Sequence, residues 1–298
     1  MNKKVLVIVG PTASGKTDLS LKLAKHFNGE IISGDSIQIY RGFDIGSGKV
    51  MDTKGIVHYG IDELDAKDSY SVADFQKLAR ENIDKISANN KLAMIVGGTG
   101  LYIKACLYDY EFDTVNNISR DFSNMSNEQL YEMLNNIDPV SASKIHINNR
   151  VRLERALNIC LNGENKSDIE ARQQHTLLYD ALIIGCTFDR EVLYQRINMR
   201  VSQMVKDGLL DEVRSLLSKG VTFDDQPMKG IGYRQWADYF NGNKTIEEVT
   251  CDIQKCSRQF AKRQYTWFNN QMKVNWVNMA MDDSYEKIVM MVDEWLNG

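Results

Sequence analysis

The sequence contains no apolar run near the roughly 18 residues that cross a bilayer, which excludes a membrane-spanning helix. The run Val5 to Val9 follows Lys3 and Lys4, but it is too short for a signal-peptide core and has no small-residue cleavage site behind it. There is no C-x-x-C pair. The five cysteines, Cys106, Cys160, Cys186, Cys251 and Cys256, read as reduced thiols of a cytoplasmic protein, which excludes a disulfide frame and a zinc site. Surplus positive charge is missing too. With 36 Lys+Arg against 40 Asp+Glu the formal charge is −4, so nucleic acid is not bound by bulk charge, although a local basic patch stays open. Internal repeats and low-complexity tracts are absent.

The chain has 298 residues, 43% apolar and 26% charged, enough for a sizeable core in one large domain or one domain with an insertion. Lys4 to Val9 is a continuous β-branched run, the pattern of a strand buried on both faces. Gly10 to Gly15 is a turn-rich loop. From Lys16, Leu19, Leu23 and Phe27 recur at helical spacing, and Gly29 reads as the stop. Glu30 to Ser33 is a second strand. Ser71 to Ala88 reads as a helix capped by Ser71 with Asp74 three residues on. Leu92 to Val96 is a third buried strand. Tyr108 to Asp138 then carries seven acidic residues and one basic one, Arg120. Helices follow to about Gln174, and a strand returns at Ala181 to Thr187. Helices then run to the C-terminus, and Asp282 to Leu296 closes the chain as an amphipathic one. The expectation is an α/β fold: a P-loop NTPase-like parallel sheet flanked by helices, residues 1–113 and 178–298, with a helical insertion at 114–177.

Gly10, Pro11, Thr12, Ala13, Ser14, Gly15, Lys16 and Thr17 fit G-x-x-x-x-G-K-[ST] after a buried strand and before a helix. Glycines let backbone N–H groups turn inward, the helix N-terminus adds partial positive charge, Lys16 adds a full one, and the Thr17 hydroxyl suits Mg²⁺. This specifies an oligophosphate, not ATP. No apolar run ends in the acidic Mg²⁺ residue of many P-loop ATPases, since the third strand ends in Gly97-Gly98-Thr99-Gly100. Hydrolysis-driven motors and switches lose weight, and transferases using a phosphate ester gain it. Asp35 follows the second strand, at the carboxyl edge where open α/β sheets bind ligands. Function and a helix N-cap with Gln38 as partner are both open at that position. Ile253 to Val277 carries Lys255, Arg258, Lys262, Arg263 and Lys273 with no acid, interleaved with Phe260, Tyr265, Trp267, Phe268 and Trp276. The charges suit an RNA backbone, whereas the aromatics read as the core face of an amphipathic helix.

These motifs in order resemble the tRNA dimethylallyltransferase (isopentenyltransferase) family. The resemblance runs through G-P-T-A-S-G-K-T, D-S-I-Q-I-Y at Asp35 to Tyr40, D-I-G-S-G-K at Asp44 to Lys49, and G-G-T-G-L-Y at Gly97 to Tyr102. It continues through R-I-x-x-R at Arg196 to Arg200, G-Y-R-Q at Gly232 to Gln235, and R-Q-F-A-K-R-Q-x-T-W at Arg258 to Trp267. Ser47, Gly48 and Val50 depart from the family's usual D-I-G-T-A-K-P. The resemblance implies transfer of a dimethylallyl group from dimethylallyl diphosphate to N6 of adenosine 37, 3′ of the anticodon, in tRNAs reading codons that begin with U. It implies Asp35 as general base, with Lys16, Thr17 and Arg200 on the diphosphate and Mg²⁺ at Thr17. Asp35, Ser36, Ile37, Gln38 and Thr99 would meet the flipped base. Val151, Arg152, Leu153, Glu154 and Arg155 would place the insertion on the anticodon stem-loop. The C-terminal contacts would come from Arg258, Lys262 and Arg263. No membrane partner is expected, and a monomer is the default.

Three other readings share parts of this pattern. A metabolite or nucleotide kinase shares the P-loop, but it has no evident use for the basic C-terminal stretch. Prenylation of a free adenine nucleotide leaves the insertion and the Arg152/Arg155 cluster without a purpose. A non-enzymatic RNA-binding protein with a degenerate loop conflicts with an intact Lys16, Thr17 and Asp35.

Overall fold

The computed structural model describes residues 3–110, 112, 120–172 and 175–298. The expected insertion boundary at 113/114 lies outside them. Two compact units emerge, one of residues 1–108 and 177–298 and one of 109–176.

The larger unit opens with β1 (Lys4–Val9), α1 (Lys16–His26) and β2 (Gly29–Ser33). It continues with β3 (His58–Tyr59), α2 (Val72–Ala88), β4 (Leu92–Gly97) and α3 (Gly100–Leu107). The smaller unit holds α4 (Asn127–Ile137), α5 (Pro139–Lys144), α6 (Arg150–Leu161) and α7 (Lys166–Arg172). The larger unit resumes with β5 (Asp180–Thr187), α8 (Arg190–Lys206) and α9 (Leu209–Ser218). After a 3₁₀ turn at Pro227–Lys229 it closes with α10 (Trp236–Phe240), α11 (Ile246–Gln271), β6 (Asn275–Asn278) and α12 (Ser284–Asn297).

Six strands form one sheet in the order β3-β2-β4-β1-β5-β6, and every pairing is parallel. Alternation along β1 explains the two cores. Val5, Val7 and Val9 face one layer with Phe75, Ile83, Val249 and Phe268. Leu6 and Ile8 face the other, with Leu19 and Leu23 of α1 and Ile288 and Val292 of α12. Helices thus cover both faces, as the apolar runs require.

Two sequence expectations need correction. Helix α1 stops at His26, and the left-handed residue is Asn28 (φ 50), not Gly29. Asn tolerates that conformation because its short polar side chain bonds locally. Gly29 instead begins β2, where a Cβ would stand 2.7 Å from the Met94 sulfur. The C-terminal region is not wholly helical, because β6 lies within it as an edge strand with one buried residue, Val277. Strand β3 has two residues, too few to show a period. The capping box of Ser71 and Asp74 forms as expected.

In the smaller unit, Leu130, Leu134, Leu153, Ala156 and Leu157 make a core of their own. Arg150 staples it. Its guanidinium donates to the carbonyls of Met125 at 2.8 Å and Phe122 at 2.6 Å, and pairs with Glu154 at 2.7 Å.

Candidate active site

The loops after β1, β2 and β4 emerge side by side because these strands are neighbours in the sheet. Gly34 and Gly97 make this possible: the Gly34 N–H donates to the Val96 carbonyl at 2.8 Å, and a Cβ on Gly97 would lie 2.3 Å from the Gly34 oxygen.

The β1 loop is shaped for an anion. Gly10, Ala13 and Gly15 have positive φ (145°, 63° and 85°), and Gly15 starts α1 without any side-chain cap, so the helix N-terminus stays open. A Cβ on Gly10 would stand 2.6 Å from the Cys186 carbonyl. The Ser14 hydroxyl is fully buried without a partner. A buried hydroxyl left unpaired costs about 1–3 kcal/mol, so a ligand that satisfies it is favoured. Lys16 donates from Nζ to the Pro11 carbonyl at 2.6 Å. Burial first, then the neighbouring Arg200 guanidinium, lower its pKa to about 8.

Asp35 is no helix cap, since residues 35–39 form a turn. Its Oδ1 accepts the Ile37 N–H at 2.8 Å, an Asx turn that aims the carboxylate. Burial raises its pKa, while the Ile37 and Gln38 N–H groups and then Lys16 and Arg200 oppose the rise. Arg200, on α8, is half-buried. Burial lowers its pKa, against attraction from Asp35 and Asp18. Its Nη2 contacts the Gly48 carbonyl at 3.5 Å, and its Nε has no partner. Both nitrogens can therefore take an anion.

Gln38 is oriented at both ends. The Ser33 hydroxyl donates to its Oε1 at 2.9 Å, and its Nε2 faces the carbonyls of Ser47 and Gly48 at 3.5 and 3.4 Å. Thr99 sits at the N-cap position of α3, yet its hydroxyl makes no capping bond and lines the cavity instead. Ser36, Ile37, Thr12 and Thr17 line the same cavity.

Two cavities meet here, of about 420 Å³ and about 500 Å³. The first is lined by Asp35, Gln38 and Thr99, and the second by Ala13 to Asp18, Arg196 and Met199. Lys16, Thr17, Gly48 and Arg200 line both, so the anion-binding groups stand at the partition. Arg196 is tied down by an Nε bond to the Ala13 carbonyl at 3.0 Å and by stacking on Phe188. Among the described residues no group of three or more His, Cys, Asp and Glu is arranged to hold a metal.

The other expected contacts divide. On α11, Lys262 and Arg263 are exposed, and Arg263 sits over the Phe260 ring at 5.6 Å. Arg258 is instead pinned to Asn198 of α8, which holds the two helices together. Phe268 is buried, Trp267 packs on Gly100 and Tyr265 bonds to Thr187, as a core face requires. Phe260 is the exception and lines the first cavity. On α6, Val151 is 76% exposed, and Arg152 and Arg155 are exposed. Leu153 is not available for contact, because its side chain is the core of the smaller unit. Glu154 is held by Arg150.

Sequence reasoning missed Ser33, Lys229, Arg234 and Gln264, all of which line the first cavity. For Gln264 a signal existed. The buried stripe of α11 runs Val249, Ile253, Ser257, Ala261, Gln264, Phe268, and a Gln there needs a polar partner. Its Nε2 donates to the Gly98 carbonyl at 2.9 Å, while its Oε1 is unpartnered.

A parallel sheet with an open P-loop, a half-buried guanidinium at the partition and a half-buried carboxylate beside it makes an α/β site suited to a phosphate-bearing substrate. The family model described as IPP transferase matches residues 38–271, and that described as isopentenyl transferase matches residues 3–56. A tRNA dimethylallyltransferase of Anoxybacillus flavithermus is 44% identical over 304 residues, covering 100% of this chain and 97% of that relative. One of Bacillus anthracis is 45% identical over 301 residues, covering 98% and 96%. Among solved structures, the tRNA isopentenylpyrophosphate transferase of Bacillus halodurans matches with a TM-score of 0.77 at 39% identity, covering 99% of this chain and 97% of that one. A eukaryotic dimethylallyltransferase acting on tRNA matches with a TM-score of 0.86 at 26% identity, covering 99% and 80%. The chain belongs to the IPP transferase family, that of the tRNA dimethylallyltransferases, and is a transferase.

Proposed function

We propose that this enzyme transfers a dimethylallyl group from dimethylallyl diphosphate to N6 of adenosine 37, 3′ of the anticodon, in tRNAs that read codons beginning with U. The observation that carries this reading is the partition itself. Lys16 and Arg200 line both cavities and Asp35 lines the first, so a diphosphate entering from one side can meet an acceptor held beside Asp35 on the other.

An exocyclic adenine amine is a weak nucleophile because its lone pair is delocalised into the ring. N6 attacks C1 of the allyl group, the C1–O bond breaks, and the diphosphate leaves with the electron pair. The N6 proton passes to the Asp35 carboxylate, whose raised pKa makes it a better acceptor than an ordinary carboxylate. Lys16, the P-loop N–H groups and Arg200 stand where negative charge grows on the bridging oxygen. Thr17 lines the same partition, and its hydroxyl would hold Mg²⁺ there. Bound there, the ion supplies further charge neutralisation on the diphosphate.

The base must leave the anticodon loop to reach Asp35, which is cheaper from a loop than from a duplex. Gln38, with its amide fixed by Ser33, and Thr99 suit the edge of a flipped adenine. Exposed Lys262 and Arg263, with Lys229 and Arg234 at the first cavity, suit the RNA backbone. Arg152 and Arg155 of the smaller unit suit the anticodon stem. Among the described residues no helix is long and apolar enough to cross a membrane. The reading is of a cytoplasmic, monomeric enzyme.

The test offers labelled dimethylallyl diphosphate and Mg²⁺ with unmodified tRNA, with AMP or ADP, and with no acceptor. Label on tRNA alone, at adenosine 37 after nuclease digestion, is the expected result. Label on AMP or ADP would move the enzyme to nucleotide prenylation.

A further inference from the structure

The segment Asp44–Lys49 runs along the partition, and its two edges face different partners. On the N–H edge, Asp44 and Ile45 donate to Oε2 of Glu212 at 3.0 and 2.7 Å, and Gly46 donates to Oε1 at 3.1 Å. Ser47 donates to the Tyr233 hydroxyl at 3.1 Å, which in turn donates to Glu212 Oε1 at 2.8 Å. The far end is fixed by buried Lys49, which reaches Asp44 and Asp62 at 2.6 Å each and the Tyr40 carbonyl at 3.0 Å. On the carbonyl edge, Ser47 and Gly48 face Gln38, and Gly48 also faces Arg200.

Glu212, on α9, lines neither cavity. Its carboxylate nevertheless gathers every N–H of the segment from Asp44 to Ser47, three directly and one through Tyr233. Bonds from N–H groups to a carboxylate are charge-assisted and roughly twice as strong as neutral ones. Apart from the attraction of Asp35 and Asp18, Arg200 has little to fix it, since its Nε is unpartnered and its carbonyl contact is long. Its position is set by packing against Gly48, where a Cβ would stand 1.7 Å from Nη2.

We infer that Glu212 is a positioning residue for prenyl transfer: through the Asp44–Gly48 segment it sets the place of Arg200 and the orientation of Gln38 together. This rests on the reading of Arg200 as a diphosphate ligand. A shift of the segment moves the guanidinium with it, and misplacement by about 1 Å can cost on the order of 10²-fold in rate.

The test is a double-mutant cycle of Glu212→Gln and Arg200→Lys, read as kcat and KM for dimethylallyl diphosphate, with the thermal midpoint recorded separately. Glu212→Gln is expected to lower kcat/KM by about 10- to 100-fold. In the Arg200→Lys background the same substitution should cost at least about threefold less, the coupling expected of residues that act through each other. Equal costs in both backgrounds, or unchanged kinetics with a lowered thermal midpoint only, would overturn the inference. If Glu212→Gln does not fold, Tyr233→Phe goes through the same cycle. It removes only the hydroxyl, keeps the ring against Phe43, and is judged by the same coupling. Should Arg200→Lys alone leave the diphosphate KM unchanged, the diphosphate assignment falls and this inference with it. Additivity beside an impaired Arg200→Lys would remove the Glu212 role alone.

Discussion

The Nη2 atom of Arg200 lies 1.7 Å from the point where a Cβ on Gly48 would stand, so any side chain placed there must move the guanidinium. Gly48 also has φ +64, a conformation that costs a β-branched residue more than any other kind. Gly48→Val should therefore displace Arg200 and raise KM for dimethylallyl diphosphate by about 10-fold or more, with a smaller rise in KM for tRNA through Gln38. Steady-state kinetics with each substrate varied in turn check this. Equal effects on both substrates would place Arg200 elsewhere.

The pH profile follows from two shifted groups. Burial raises Asp35, so at low pH its carboxylate is protonated and cannot take the N6 proton. The acid limb of kcat/KM should lie above the ordinary carboxylate range. Lys16 is lowered to about 8 in the free enzyme, so its charge is lost as pH rises through that value and diphosphate binding weakens. A bound diphosphate favours the charged form and pushes the basic limb of kcat higher than that of kcat/KM. Rates measured from about pH 5 to about pH 10 separate the limbs. A flat profile across that range would contradict both assignments.

Lys262 and Arg263 are exposed on α11, and neither makes an ion pair among the described residues. Replacing both by Ala should weaken tRNA binding and make the plot of log K against log salt shallower by about 1.4, from ~0.7 per single-stranded phosphate contact. Filter binding at several salt concentrations reads the slope. An unaltered slope would return that helix face to a structural role.

Leu153 separates packing from recognition on α6. It is 0% exposed in the core of the smaller unit. Leu153→Ala should destabilise that unit by about 2–5 kcal/mol. Arg152→Ala and Arg155→Ala should leave stability within about 0.5 kcal/mol and weaken tRNA binding instead. Denaturant melts beside binding curves distinguish the two kinds of residue.

Much of the site is legible in the sequence because it is local. A buried β-branched run, Gly10 to Gly15 and Lys16-Thr17 fix strand, loop and helix within fourteen positions, Lys4 to Thr17. Asp35 is legible by place, at the end of a strand. Its Asx turn is not, because a turn and a helix start share the same Asp-x-x-Gln pattern. Arg258 reads as one more cation in a basic run, and only packing shows Asn198 of α8 beside it. The Glu212 cluster is the least legible. Its backbone donors lie 166 to 168 positions away, and nothing in the local pattern of α9 distinguishes Glu212 from a solvated first-turn acid. Strand β6 is hidden because an edge strand with one buried residue carries no period.

The central claim is that Asp35 accepts the N6 proton in the first cavity, beside the partition. Asp35→Asn keeps an oxygen that can accept the Ile37 N–H, so the turn is retained while the carboxylate is lost. It also removes a charge that burial disfavours, so the thermal midpoint should not fall. The most direct measurement is single-turnover prenyl transfer by Asp35→Asn with tRNA and dimethylallyl diphosphate both saturating, beside tRNA binding by the same variant. The account predicts a chemical step slowed by on the order of 10²-fold or more, with tRNA affinity within about threefold of the parent. A chemical step at the parent rate would contradict it and remove Asp35 from the reaction.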